Sequence, residues 1–156
     1  PKAYNFVGSA EAVRVARELA TEAGARLVRC LNMSVPSDTH LMLPVADRHE
    51  AILREFAPCM RPPSCPCWAL TRTPQQVTAT SKVSDVISML QDQLTEPAFF
   101  EQTVRKMQES GVQHFFDLSP QAFLGGMMAR IDPSLRRRTH WVNAFSGRYG
   151  TAAGVT

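Results

Sequence analysis

Apolar positions recur at helical spacing over Ala12, Val13, Val15, Ala16, Leu19, Ala20 and Ala23 and predict a first helix. Ser9 offers an N-cap oxygen, Glu11 puts an acid in the first turn, and Gly24 is placed as the C-terminal stop. The pattern changes on either side. Tyr4 to Val7 is a short β-prone run closed by Gly8, and Arg26 to Met33 alternates charged and apolar residues as a strand with one buried face does. A second helix reads from Thr39 to Phe56. Pro36 and Pro44 limit its regular start, and Pro58, Pro62 and Pro63 break it.

Further on, Ser64 to Thr71 reads as a strand weakened by Pro66, and Thr73 to Thr80 as a polar loop. Ser84 to Leu94 is a third helix, with Val86, Ile87, Met89, Leu90 and Leu94 available for packing. Pro97 suits the first turn of a fourth helix that runs to Ser110 and ends at Gly111. His114 to Leu118 is a strand, and Ser119-Pro120 turns the chain into a fifth helix over Gln121 to Ile131. Met127, Met128 and Ile131 form its core-facing stripe. No pattern emerges after Pro133, and the Gly-, Ala- and Thr-rich end from Ser146 onward is expected to be mobile. The order β-α-β-α-β-α-α-β-α is mixed α/β (α+β), and its opening β-α-β suits a ferredoxin-like half.

Composition narrows the function classes. At 156 residues, 44% apolar and 20% charged, the chain is globular and about one domain long. It has no apolar run near the ~20 residues of a membrane span and no N-terminal signal pattern, so no membrane partner is expected. The net charge of +3 is mild. Much of it sits in Arg136-Arg137-Arg138, which reads as the solvated end of a helix, and no aromatic platform accompanies it to suggest nucleic acid. Cys30, Cys59, Cys65 and Cys67 lack paired zinc spacing, so no metal is expected. They read as buried or half-buried thiols of a cytoplasmic, reducing compartment.

One turn carries more information than the rest. Leu31-Asn32-Met33-Ser34-Val35-Pro36-Ser37-Asp38-Thr39-His40-Leu41-Met42 resembles the catalytic-histidine segment V-S-V-P-S-H-x-x-L-M of malonyl-CoA:acyl-carrier-protein transacylases, with Asp38 where the family has its histidine. Asn5 to Val13 is similar to the family's Q-V-V-I-S-G-x-x-E-A-V, and Glu22-Ala23-Gly24-Ala25-Arg26 to its K-x-A-G-A-K turn. Leu41-Met42-x-Pro44-x-Ala46-Asp47 is similar to the helix after that turn, and Pro63-Ser64-Cys65-Pro66-Cys67 to P-x-x-P-V. Gln93-Leu94-Thr95-Glu96-Pro97 resembles Q-L-x-x-P, Gly111 to Pro120 resembles G-V-x-x-F-x-E-x-G-P, and Leu124-Gly125-Gly126-Met127 resembles V-L-x-G-L. These matches stand in family order over about residues 4 to 131.

The resemblance implies a ferredoxin-like subdomain over residues 1–72 holding the histidine-turn equivalent. Strand-helix elements of an α/β-hydrolase-like acyltransferase domain follow over 73–132, then an irregular basic tail over 133–156. It also implies that the oxyanion loop, the serine elbow and the malonyl-binding arginine lie outside these 156 residues.

The chemistry follows from what is present. Acyl transfer needs an activated serine, a base and oxyanion donors. The 156 residues hold no G-x-S-x-G, and the nearest string, Ala144-Phe145-Ser146-Gly147-Arg148, lacks both elbow glycines. An Asp has a reference pKa of ~3.9 against ~6.5 for His and suits acid–base duty at neutral pH poorly. Capping the following helix is therefore the favoured role for Asp38 over catalysis. His40 is the substitute base only if the backbone slips, because positions two apart on a helix face different ways. In the family, the backbone carbonyl at the position of Gln93 orients the histidine; here its role lapses to structure. His49 reads as a surface or boundary residue, and His114 and His140 show no evident partner.

Three functions remain. The first is an incomplete transacylase of fatty-acid, polyketide or malonate metabolism, with malonyl-CoA as substrate, no cofactor, and a complementary segment supplying the serine. The second is a non-catalytic module, its active site degenerate, that docks acyl-carrier protein or a synthase. The third is a free-standing enzyme using Asp38 or His40. The family fold would cover the last strand and helix, so the chain alone is expected to form a homodimer or bind a partner there.

Overall fold

The computed structural model describes residues 3–31, 33, 35–143 and 148–151. These fold as two units, one of Asn5–Thr103 and one that starts at Val104 and also takes in Ala3 and Tyr4. The mixed α/β class expected from the sequence is what the chain adopts.

In the first unit, α1 spans Ala10–Glu22. The Ser9 hydroxyl accepts from the Ala12 N–H at 3.2 Å, as the cap reading requires. Gly24, at φ +80°, ends the helix: the Ala25 N–H reaches the Ala20 carbonyl and the Gly24 N–H the Thr21 carbonyl, which is a Schellman closure. The flanking runs depart from expectation, since neither 3–9 nor 25–31 forms a strand. Alternation supplies a face but not something to cover it, and Leu27 and Leu31 stay about two-thirds exposed (70% and 66%).

The helix read from Thr39 splits in two. A 3₁₀ turn covers His40–Met42, and α2 spans Leu43–Phe56 with Pro44 in its first turn, where a missing N–H costs nothing. β1 (Cys67–Ala69) pairs antiparallel with β2 (Gln75–Val77), with Trp68 opposite Gln76. Residues 75–77 were expected to be loop. They form a strand because Val77 packs inward beside Ala69 while the two glutamines leave an outer edge that carries no apolar signal. α3 (Val83–Thr95) starts with the Asp85 carboxylate accepting from the Lys82 N–H at 2.9 Å. Its Met89 joins Ala69 and Val77 in the core, with Val86 and Leu90 packed against them. Phe99 donates its N–H to the Leu70 carbonyl, and the buried Thr103 hydroxyl donates to the Phe99 carbonyl at 2.9 Å. These bonds fix the start of α4 (Phe100–Glu109), three residues later than Pro97 suggested.

In the second unit, Gly111, at φ +94°, closes α4 by the same Schellman pattern, with Val112 and Gly111 N–H groups on the Met107 and Gln108 carbonyls. β3 (Phe115–Asp117) pairs in parallel with β4 (Thr139–Asn143), through a crossover made of α5 (Leu124–Ile131) and α6 (Pro133–Arg138). β5 (Arg148–Thr151) adds antiparallel to the other edge of β4. The region after Ile131, expected to be irregular and mobile from Ser146, thus holds a helix and two strands. Asp132 caps α6, accepting from the Ser134 N–H at 2.7 Å; Leu135 is wholly buried and Met128 nearly so. One buried Leu in a run of three arginines has no periodicity to read. The elbow-like string at residues 144–147 lies outside the described residues.

Candidate functional site

The turn at residues 35–42 is held by Thr39. Its hydroxyl donates to the Pro36 carbonyl at 2.7 Å and accepts from the Leu41 N–H at 3.3 Å, which makes Thr39 the cap of the 3₁₀ turn. That overturns the expectation for Asp38. Instead, Asp38 takes φ +60°, the left-handed region that short polar side chains tolerate and most residues avoid. Its carboxylate is exposed and has no hydrogen-bond or ion-pair partner among the described residues. His40 is also exposed, at the first position of the 3₁₀ turn, and no partner joins it to Asp38. The turn packs against α3, the helix that carries the half-buried Gln93. The fold therefore brings the elements of Asp38, His40 and Gln93 together, but no bond links the three side chains.

Beside this turn, α2 and α3 enclose a shallow cleft of about 210 Å³ lined by Asp47, His49, Glu50, Gln91, Asp92 and Thr95, among others. The Arg54 guanidinium holds the Glu50 carboxyl below its ordinary range, helped by the Gln91 side chain. Asp92 accepts from the Gln75 amide at 3.1 Å. His49 is half-buried, and its Nδ1 is buried without a partner. The helical spacing of Asp47, Glu50 and Arg54 was visible in the sequence; that α3 would bring Gln91 and Asp92 against them was not.

Asp117 is the buried carboxylate of the second unit, 1% exposed. Burial pushes its pKa up. Hydrogen bonds from the Ser119 hydroxyl and from the N–H groups of Leu124, Ser119 and Phe123 outweigh that and hold it below the ordinary value. It ties the end of β3 to the start of α5. Trp141 adds a second tie, its Nε1–H donating to the Ser119 carbonyl at 2.9 Å.

Two sequence expectations fail here. All four cysteines are exposed rather than buried or half-buried. His114 and His140 do have a partner, namely each other, with Nδ1 and Nε2 3.1 Å apart. The parallel pairing of β3 and β4 creates that contact across 26 residues, out of reach of sequence patterning. Among the described residues, no helix is long and apolar enough to cross a membrane.

No protein-family model matches the chain. It is 28% identical over 129 residues to the malonyl CoA-acyl carrier protein transacylase of Bacillus subtilis, covering 83% of this chain and 39% of that protein. An acyl carrier protein S-malonyltransferase from Vibrio cholerae superposes with a TM-score of 0.70 at 29% identity, over 88% of this chain and 42% of the other. The chain resembles the malonyl-CoA:acyl-carrier-protein transacylases in sequence and in fold. A further such transacylase, solved in complex with a type II polyketide synthase acyl-carrier protein, gives a TM-score of 0.75 at 27% identity, over 90% of this chain and 43% of its own. The chain spans about two fifths of the length of the transacylases it matches, and the match falls on their C-terminal portion.

Proposed function

We propose that the chain is an incomplete malonyl-CoA:acyl-carrier-protein transacylase-like protein, which transfers acyl groups only when a separate segment supplies the nucleophilic serine. The observation that carries this reading is a similarity that runs over most of the chain, while no G-x-S-x-G lies in its 156 residues. In this reading, Asp38 occupies the family's histidine position, residues 1–72 form a ferredoxin-like subdomain, and malonyl-CoA is the donor. A carboxylate, with a reference pKa of ~3.9, suits the base role at neutral pH poorly, so this reading gives Asp38 no catalytic duty. His40 is the nearer imidazole, and its use would need the turn to rearrange around Thr39.

The test is intact-protein mass spectrometry after incubation with malonyl-CoA, with and without acyl-carrier protein. The chain alone is expected to gain no malonyl group, and a mixture with a polypeptide carrying G-H-S-x-G is expected to transfer it. A malonyl adduct on this chain alone would overturn the reading, because it would reveal a nucleophile within it.

A second reading is a non-catalytic module that docks acyl-carrier protein. It is favoured by the relative solved with such a carrier and by Asp38 having no catalytic partner among the described residues. Carrier binding by this chain, together with failure of every serine-bearing segment to restore transfer, would select it.

A further inference from the structure

We propose that His114 and His140 form a two-imidazole site for a divalent first-row transition-metal ion. His140 lies in register opposite Phe116, and His114 precedes Phe116 by two residues, so all three side chains share one face of the β3–β4 pair. The two rings are tilted by 31° with centroids 5.3 Å apart, and His114 Nδ1 and His140 Nε2 approach to 3.1 Å. In the metal-free pair one nitrogen donates a hydrogen bond to the other. The two rings point at each other along that line, and a small rotation of each would make their lone pairs converge on an ion held between them. Metal–imidazole bonds of ~2.0–2.1 Å with angles from roughly 90° to 109° put the two nitrogens about 2.9–3.4 Å apart.

Binding needs no redox step and no net proton release. The ring that donates changes tautomer, its proton moving through solvent to its other nitrogen. Both rings then ligate as neutral imidazoles, with the protons on His114 Nε2 and His140 Nδ1. The Phe116 ring borders one side of the pair, its centroid 5.2 Å from that of His140. No cluster of three or more His, Cys, Asp or Glu side chains suited to a metal occurs among the described residues. The remaining positions on the ion are therefore open to water, and the site is exchangeable, with Cu²⁺ bound most tightly of the divalent series.

The test is titration of the full chain with Cu²⁺, after alkylating the four exposed thiols so that they do not compete. Calorimetry should find one bound ion, and electron paramagnetic resonance should show hyperfine coupling to two nitrogens. His114→Gln and His140→Gln should each weaken binding by about tenfold or more, while His40→Gln should not. Should either variant lose its circular-dichroism spectrum, selective Cu²⁺ broadening of the two imidazole C–H proton resonances in the unsubstituted sequence decides instead. Binding by the unsubstituted chain no tighter than by His114→Gln and His140→Gln, or broadening centred on other histidines, would overturn the site and leave an ordinary hydrogen bond.

Discussion

Asp117→Ala is the perturbation that probes the second unit most directly. The carboxylate is 1% exposed and receives the Phe123 N–H at 2.9 Å, the Leu124 N–H at 2.7 Å, the Ser119 N–H at 3.0 Å and the Ser119 hydroxyl. Truncation strands two backbone donors at the start of α5, Phe123 and Leu124, and a third, Ser119, just after β3. A single lost cap costs ~0.5–2 kcal/mol and a stranded buried donor ~1–3, but Phe123 and Leu124 are not fully buried and water takes up part of the deficit. A net loss of about 3 kcal/mol is expected. Urea unfolding followed by Trp fluorescence reads it, because Trp141 bonds the same loop at Ser119. The pH dependence has a definite sign. The folded-state pKa is depressed, so the carboxylate's contribution is present above its unfolded value of ~3.9 and is lost as pH falls through the folded value. Asp117→Asn should flatten the stability profile below about pH 4. A loss under ~0.5 kcal/mol for Asp117→Ala, with an unchanged acid limb, would refute the argument.

Other outcomes follow from the same structure. Asp38→Ala should destabilise by about 1 kcal/mol and Asp38→Gly should not, since only glycine takes the left-handed conformation freely; equal melting curves for both would refute this. Asp38→His should restore no acyl transfer by itself, as judged by malonyl-CoA turnover, because a base without a nucleophile has nothing to activate. Leu135→Ala should cost roughly 2–5 kcal/mol in urea titration, given a side chain with 0% exposure. All four thiols should react with a disulfide reagent without denaturant, and a count below four would contradict their exposure.

Local signals carried the helices well. Ser9, Gly24 and Gly111 mark helix ends by chemistry that acts within a few residues, and all three act where expected. Strand patterning carried less, because a strand exists only with a partner. Cys67–Ala69 and Phe115–Asp117 found partners in Gln75–Val77 and Thr139–Asn143, neither of which announces itself. Arg26–Leu31 has the better alternation and forms no strand. At the candidate site, the Pro36–Met42 turn was legible as a motif. The assignment of capping to Asp38 failed because Thr39, one residue on, has the hydroxyl that reaches both Pro36 and Leu41. The His114–His140 contact and the α2–α3 cleft were illegible for one reason: each depends on tertiary register rather than on neighbours in the chain.

The division between inside and outside bears on how any melting experiment is read. Leu19, Leu27, Leu41, Leu43, Ile52 and Phe56 in the first unit, and Phe116, Leu118 and Phe123 in the second, all face solvent, while the buried apolar set is small. Whatever covers those side chains only in the folded state shifts the unfolding equilibrium by mass action, by about 2.7 kcal/mol when present at a hundred times its dissociation constant. The melting temperature is then a property of the mixture, and its rise with added polypeptide is a titration curve for association.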